Sequence, residues 1–250
     1  MIQVDNLFKR FEDKEVLQGL SLTIEGGQTM VIAGRSGCGK SVLLKIIIGL
    51  TKPDQGKVLV DDEDIVQMPY KRLREVRRKF GMVFQGSALF DSMSVEENIG
   101  LALRRYSDQS ESEVKERIRW CLEMVEMGGT QELCPAELSG GMKKRVALAR
   151  AVAIHPQFVL YDEPTTGLDP VTARAIDNLI LILQHELSTT SVVVTHDMES
   201  AFTVGDQIAL LHDGAIYHIG TPEEFQYTND PIIRGFVDGT GEAYEGKELV

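Results

Sequence analysis

Cysteine is scarce in this chain. Cys38, Cys121 and Cys134 are its whole complement, too few and too irregularly spaced for a disulfide framework or a zinc site. Long apolar runs are missing too: KIIIGL, LILIL and SVVV fall far below the ~20 residues that span a bilayer. The opening stretch, MIQVDNLFKRFEDKE, is charged and lacks a signal-peptide core. Positive charge is in deficit, with Lys+Arg 26 against Asp+Glu 38 and a net charge of −12. That argues against nucleic acid as a partner, because binders of phosphate backbones present a basic face. The local exception, KRLREVRRK (Lys71–Lys79), reads as a solvated helix face. There is no internal repeat and no low-complexity segment. These absences predict a soluble, cytoplasmic chain that leaves any membrane spanning to another polypeptide.

What is present is ordinary globular material, 43% apolar and 26% charged over 250 residues, enough for one sizeable core or two small lobes. Short apolar runs alternate with amphipathic stretches. TMVIAG (Thr29–Gly34), FVLYDE (Phe158–Glu163) and SVVVT (Ser191–Thr195) read as strands buried on both faces. DPVTARAIDNLILILQHEL begins with Asp169 as N-cap and Pro170 at the first helical position. QIALLHDGAIYHIG reads as a hairpin turning at Asp213-Gly214. This alternation predicts an α/β fold with a mainly parallel sheet. The middle, about 86–155, differs. ESEVKERIRWCLEMVEM places Val114, Ile118, Cys121, Leu122 and Val125 on one face behind a Ser110/Glu113 capping box, which predicts an inserted helical lobe. The polar, acidic end, 240–250, is expected to be loosely held.

GRSGCGKS supplies Gly34, Arg35, Ser36, Gly37, Cys38, Gly39, Lys40 and Ser41, matching G-x-x-x-x-G-K-[ST] between a predicted strand and a predicted helix. Glycines let backbone N–H groups curl around phosphates, and the helix N-terminus adds a favourable field. Lys40 reaches the outer phosphates, and the Ser41 hydroxyl suits Mg²⁺. Asp162 ends an apolar strand, where a carboxylate can hold Mg²⁺, and Glu163 follows where it can orient or deprotonate a water. A second candidate anion site lies in ELSGGMKKRVALARA. Ser139, Gly140 and Gly141 open a helix whose first N–H groups are left uncovered.

Together these segments resemble the nucleotide-binding subunit of ATP-binding cassette (ABC) transporters. GRSGCGKS resembles the family's Walker A, FVLYDE its Walker B with catalytic glutamate, and LSGGM its signature. Gln85 matches the Q-loop, TTGLD (Thr165–Asp169) the D-loop, and His196 in VVVTHD the switch histidine. Phe11 fits the aromatic that stacks on adenine. Met142 stands where the family usually has Gln, and Arg35 where Pro is frequent. The resemblance implies the P-loop NTPase fold of ABC ATPases, a mainly parallel core sheet with an antiparallel β subdomain and an inserted α-helical subdomain. It implies one domain over 1–239, with its core at 1–85 and 156–220 and its helical subdomain at about 86–155. It also implies ATP and Mg²⁺, the metal being held by Ser41, Gln85 and Asp162, with Glu163, His196 and Gln85 as catalytic residues. Two copies would pack head to tail, each ATP lying between one copy's Lys40 loop and the other's Ser139–Gly141, with Asp169 in the D-loop beside it.

Other ABC-type ATPases serve DNA repair or translation. The stretch from Ser41 to Ser139 is too short for the long coiled coil of the former, and one cassette per chain argues against the latter. Among transporter subunits, FQGSALFDSMSVEENI (Phe84–Ile99), LSGGM followed by Lys143-Lys144-Arg145, and DPIIRGFVDG resemble the Mla type, which traffics phospholipid alongside an MCE-domain protein. ATPases of polar amino-acid importers are the nearest alternative. The resemblance implies a pair of membrane permeases as partners, in some systems a small regulatory subunit, and a location on the inner face of the cytoplasmic membrane. Leu89–Val95 is expected to help line the groove that receives a short cytoplasmic helix of the permease, with some of its side chains packed inside.

Overall fold

The structure is a computed structural model that describes residues 1–240. The expected loose end lies outside the described residues apart from Thr240. In chain order the elements begin with β1 (Ile2–Phe11), β2 (Lys14–Ile24), β3 (Thr29–Ala33), α1 (Lys40–Ile47), β4 (Gln55–Val60) and β5 (Glu63–Asp64). There follow α2 (Tyr70–Arg77), β6 (Phe80–Val83), α3 (Val95–Tyr106), α4 (Glu111–Met124), α5 (Gly140–Val152), β7 (Phe158–Asp162) and α6 (Pro170–Leu187). The last are β8 (Thr190–Thr195), α7 (Met198–Val204), β9 (Gln207–His212), β10 (Ala215–Gly220), α8 (Pro222–Tyr227) and α9 (Pro231–Val237). Contacts divide the chain into two units, one of Met1–Gln67 with the segment from Val193 onward, the other of Met68–Val192.

In the first unit, β1 is the centre of an antiparallel sheet ordered β2-β1-β4-β5. Its pairing with β2 runs from Ile2 opposite Ile24 to Phe11 opposite Lys14. Leu17, Leu20, Leu22 and Ile24 bury one side of β2, giving the hydrophobic-in, polar-out pattern of a sheet with one wet face. β3 is different. All five of its residues are buried, and it pairs in parallel with β9, Met30 opposite Gln207 through Ala33 opposite Leu210. β9 turns back into β10 through Asp213 (φ 46) and Gly214 (φ 77), the two left-handed residues of the expected tight hairpin.

In the second unit, β6 and β7 pair in parallel from Phe80 opposite Phe158 to Val83 opposite Tyr161. The Phe80 and Phe158 rings stack at 4.9 Å between centroids. α3 and α4 each start with a full capping box, Ser94 with Glu97 and Ser110 with Glu113. Asp169 caps α6 ahead of Pro170, as expected. The C-terminal carbonyls of α5 are met by Arg117, which donates to Ala153 O at 3.0 Å and Val152 O at 2.8 Å, satisfying groups the helix leaves open. Among the described residues no helix is long and apolar enough to cross a membrane.

Candidate functional site

In the first unit, β3 ends at Ala33 and the chain loops through Gly34–Gly39 into α1. The loop curls around its own lysine. Lys40 is buried, and its Nζ donates to Gly34 O at 2.7 Å and Arg35 O at 3.1 Å. Gly39 sits at φ 111, and a Cβ there would lie 2.9 Å from Val16 Cγ1, so the curl needs glycine on both counts. α1 starts with no side-chain cap and no acid in its first turn, so its positive end favours an anion. A cavity of about 600 Å³ opens beside the loop, lined among others by Lys14, Val16, Arg35, Ser36, Gly37 and Cys38. The donor-rich loop around a buried ammonium fits the phosphate chain of a nucleotide. Phe11, at the end of β1, is 47% exposed, its ring free for stacking apart from Lys9 Nζ at 5.1 Å from the centroid. Ser41 is half-buried at the start of α1, and His196 is exposed just past β8.

The second unit carries the acids. β7 delivers Asp162 and Glu163, both buried, and Glu163 lies at φ 49, a left-handed backbone rare for a side chain of this kind. The Thr166 hydroxyl donates to Glu163 Oε2 at 3.0 Å. Gln85 is exposed in the loop after β6. Lys144 brings these groups together: its Nζ donates to Gln85 O at 2.6 Å and Glu163 O at 3.3 Å. Burial pulls the Lys144 ammonium below the usual lysine range, opposed by the nearby Asp162 and Glu163 carboxylates. Among the described residues no three His, Cys, Asp or Glu side chains cluster as metal ligands. Hydroxyl, amide and carboxylate oxygens are donors that Mg²⁺ accepts when phosphates and water complete its shell.

Ser139, Gly140 and Gly141 stand at the start of α5, as expected. Ser139 is the N-cap, its Oγ accepting from Met142 N at 3.3 Å, and no acid occupies the first turn. Asp169 serves its own helix. Its carboxylate accepts from the Thr172 hydroxyl at 2.6 Å and from the Val171 and Thr172 amides at 3.1 Å, and that hydroxyl above all holds it below the usual carboxylate range. The segment expected to line a partner groove divides. Phe90 is 48% exposed and Leu89 and Met93 are half-buried, but Val95 is fully buried as the first residue of α3, so Val95 is withdrawn from that surface. Lys144 adds to the site residues expected from the sequence. The signal was present, since Lys144, Ala147, Leu148 and Ala151 share the helical spacing of one buried stripe.

A model of the ABC transporter family matches residues 17–166, more than half of the chain. The chain belongs to the ABC transporter family. This cassette is 37% identical over 239 residues to the intermembrane phospholipid transport system ATP-binding protein MlaF of Haemophilus influenzae, covering 96% of this chain and 90% of MlaF. It is 38% identical over 238 residues to the probable ribonucleotide transport ATP-binding protein Mkl of Mycobacterium tuberculosis, covering 95% of this chain. The cassette spans 66% of the length of Mkl. The sulfate/thiosulfate import ATP-binding protein CysA of Acinetobacter baylyi is 39% identical, over 98% of this chain and 69% of CysA. The fold is that of the ABC ATPases. A dimeric post-hydrolysis state of the ATP-binding cassette MJ0796 bound to ADP and Pi superposes with a TM-score of 0.81 at 35% identity, covering 89% of this chain and 99% of that one.

Proposed function

We propose that this cassette is the ATP-hydrolysing subunit of a membrane transporter, that two copies close head to tail around two ATP, and that the cargo is phospholipid moved between membranes. One observation carries the activity: a single chain holds both a loop curled around a buried Lys40 and a buried Glu163 directly after Asp162 at the end of an apolar strand. Lys40 and the amides of Gly34–Ser41 grip the phosphate chain, Phe11 receives the adenine, and Ser41, Gln85 and Asp162 hold the metal. Mg²⁺, when bound, neutralises charge on the phosphate oxygens. Glu163 orients the attacking water and takes its proton, while His196 and Gln85 hold the terminal phosphate. Ser139–Gly141 of the second copy close over it from the other side, with Asp169 alongside.

The dimeric state named for MJ0796 supports the paired arrangement. Identity alone does not choose the cargo, because relatives named for phospholipid, ribonucleotide and sulfate transport differ by only two percentage points. The phospholipid reading is favoured by near full-length alignment with MlaF and by the segments Phe84–Ile99, Leu138–Arg145 and Asp230–Gly239. Its partners would be a permease pair at the inner face of the cytoplasmic membrane, an MCE-domain protein and a small regulatory subunit. The test is to solubilise membranes, isolate this chain with its partners, and identify permease and lipid by mass spectrometry. Co-isolated phospholipid and an MCE-domain protein support the reading. A soluble solute-binding protein in their place assigns the cassette to a small-solute importer.

A further inference from the structure

We propose that Lys144 and Arg150 strap the segment Gln85–Ala88 to α5, and that Lys144 is thereby a positioning residue for the Gln85 and Glu163 side chains. The segment is not self-supporting. Ser87 (φ 62) and Ala88 (φ 47) are consecutive non-glycine residues in the left-handed region. Such backbone persists only where its surroundings over-determine it. Its own turn bonds are short-range, Ser87 N to Phe84 O at 2.8 Å and Ala88 N to Gly86 O at 2.7 Å. Further restraint comes from α5. Arg150 puts its planar fork on two successive carbonyls, Nη1 on Ala88 O and Nη2 on Ser87 O, both at 2.7 Å. Six residues earlier on the same helix, Lys144 holds Gln85 O and, from the same nitrogen, Glu163 O.

Both cations are aimed at carbonyl oxygens, so they fix backbone and leave the side chains of Gln85 and Glu163 to act. Glu163 is also left-handed (φ 49), so one lysine steadies two turns that would otherwise relax. The helix itself is seated on the strand from which the segment leaves: at Gly81 of β6, a Cβ would fall on Ala151 O of α5. Strand, helix and segment therefore form one block. Ser139 caps α5 only five residues before Lys144, roughly 7 Å along the axis. A shift at that helix end is carried to Gln85 and to Glu163 through a single hydrogen bond each, both from Lys144.

The kinetic part of this proposal rests on the ATPase reading; the structural part does not. In the nucleotide-free protein, amide hydrogen exchange over residues 85–90 should rise about tenfold or more in Arg150→Met and in Lys144→Met, with β7 and α4 unchanged. In turnover, Lys144→Met should lose about 100-fold in kcat, the cost of a small misplacement, while KM for ATP and the Kd of a non-hydrolysable analogue stay within about threefold. Lys144→Gln, which keeps a donor without the charge, should recover at least about tenfold of that loss. Unchanged exchange over 85–90, or a Lys144→Met enzyme with wild-type kcat, overturns the proposal. So does a Lys144→Gln enzyme as slow as Lys144→Met. Should Lys144→Met not fold, Lys144→Gln and Arg150→Lys give the same two readouts. A wild-type chain that hydrolyses no ATP, together with the exchange pattern in the two methionine variants, removes the ATPase reading and leaves the strap.

Discussion

Asn98 holds Phe90 by both sides of its backbone: Oδ1 accepts from Phe90 N at 2.8 Å, and Nδ2 donates to Phe90 O at 3.1 Å. The same Nδ2 reaches Met93 O at 3.1 Å and Ser94 O at 3.0 Å. Asn98 is fully buried in the first turns of α3, so the loop ahead of that helix is shaped by a side chain that follows it. The consequence is that the Phe90 ring is held outward while Val95 goes in.

Asn98→Ala should therefore cost roughly 2–4 kcal/mol, because it removes the partner of the Phe90 amide and of the Met93 carbonyl and leaves Phe90 O and Ser94 O with only their bonds from Met93 N and Asn98 N. Urea unfolding of the purified chain measures this. A loss below about 0.5 kcal/mol would show that water replaces the carboxamide at little cost.

The outward Phe90 and inward Val95 make opposite predictions. Phe90→Asp should leave the isolated subunit within about 0.5 kcal/mol of wild type, while weakening stimulation of its ATPase by permease in reconstituted vesicles. Leu89→Asp and Met93→Asp should share the coupling defect. Val95→Asp should unfold the second unit or destabilise it by several kcal/mol, since it buries a charge without a partner. Equal destabilisation by Phe90→Asp and Val95→Asp would place the ring in the core instead.

Cys121 predicts an alkaline limit. Burial chiefly raises its thiol from the ordinary 9.0 to about 11, with Arg117 acting in the opposite sense. The folded state favours the neutral thiol, so its contribution is complete below about pH 9 and lost as pH climbs from there to about 11. Two units correspond to roughly 2–3 kcal/mol. Unfolding free energies of wild type and Cys121→Ala at pH 7.5 and pH 10.5 give the difference. The fall with pH should be smaller in the variant, and equal falls would contradict the assignment.

Much of this was legible in the sequence, and the remainder failed for identifiable reasons. β3 and β7 read as strands because uninterrupted apolar runs have one economical home, a buried parallel sheet. The caps at Ser110 and Asp169 were legible because capping is local chemistry. The antiparallel subdomain came from family resemblance rather than from any periodicity in β1 or β4. Lys144, Arg150 and Asn98 were read past because a polar residue's burial depends on which distant carbonyls meet it, here Gln85 O, Ser87 O and Phe90 O. Which of the Leu89–Val95 side chains pack inside is not legible for the related reason that an apolar residue beside a surface loop does not announce which side it faces.

The proposed reaction is ATP hydrolysis between two copies of this chain, with Glu163 acting on the water. Glu163→Gln is the most direct test, because it keeps the side chain's shape and removes its basicity. Sedimentation velocity of this variant with Mg²⁺ and ATP, alongside a phosphate-release assay, reads both parts at once. A stable dimer holding unhydrolysed ATP, absent when Lys40→Ala is added, is the expected result. A monomer at saturating ATP, or phosphate release at the wild-type rate, would contradict it.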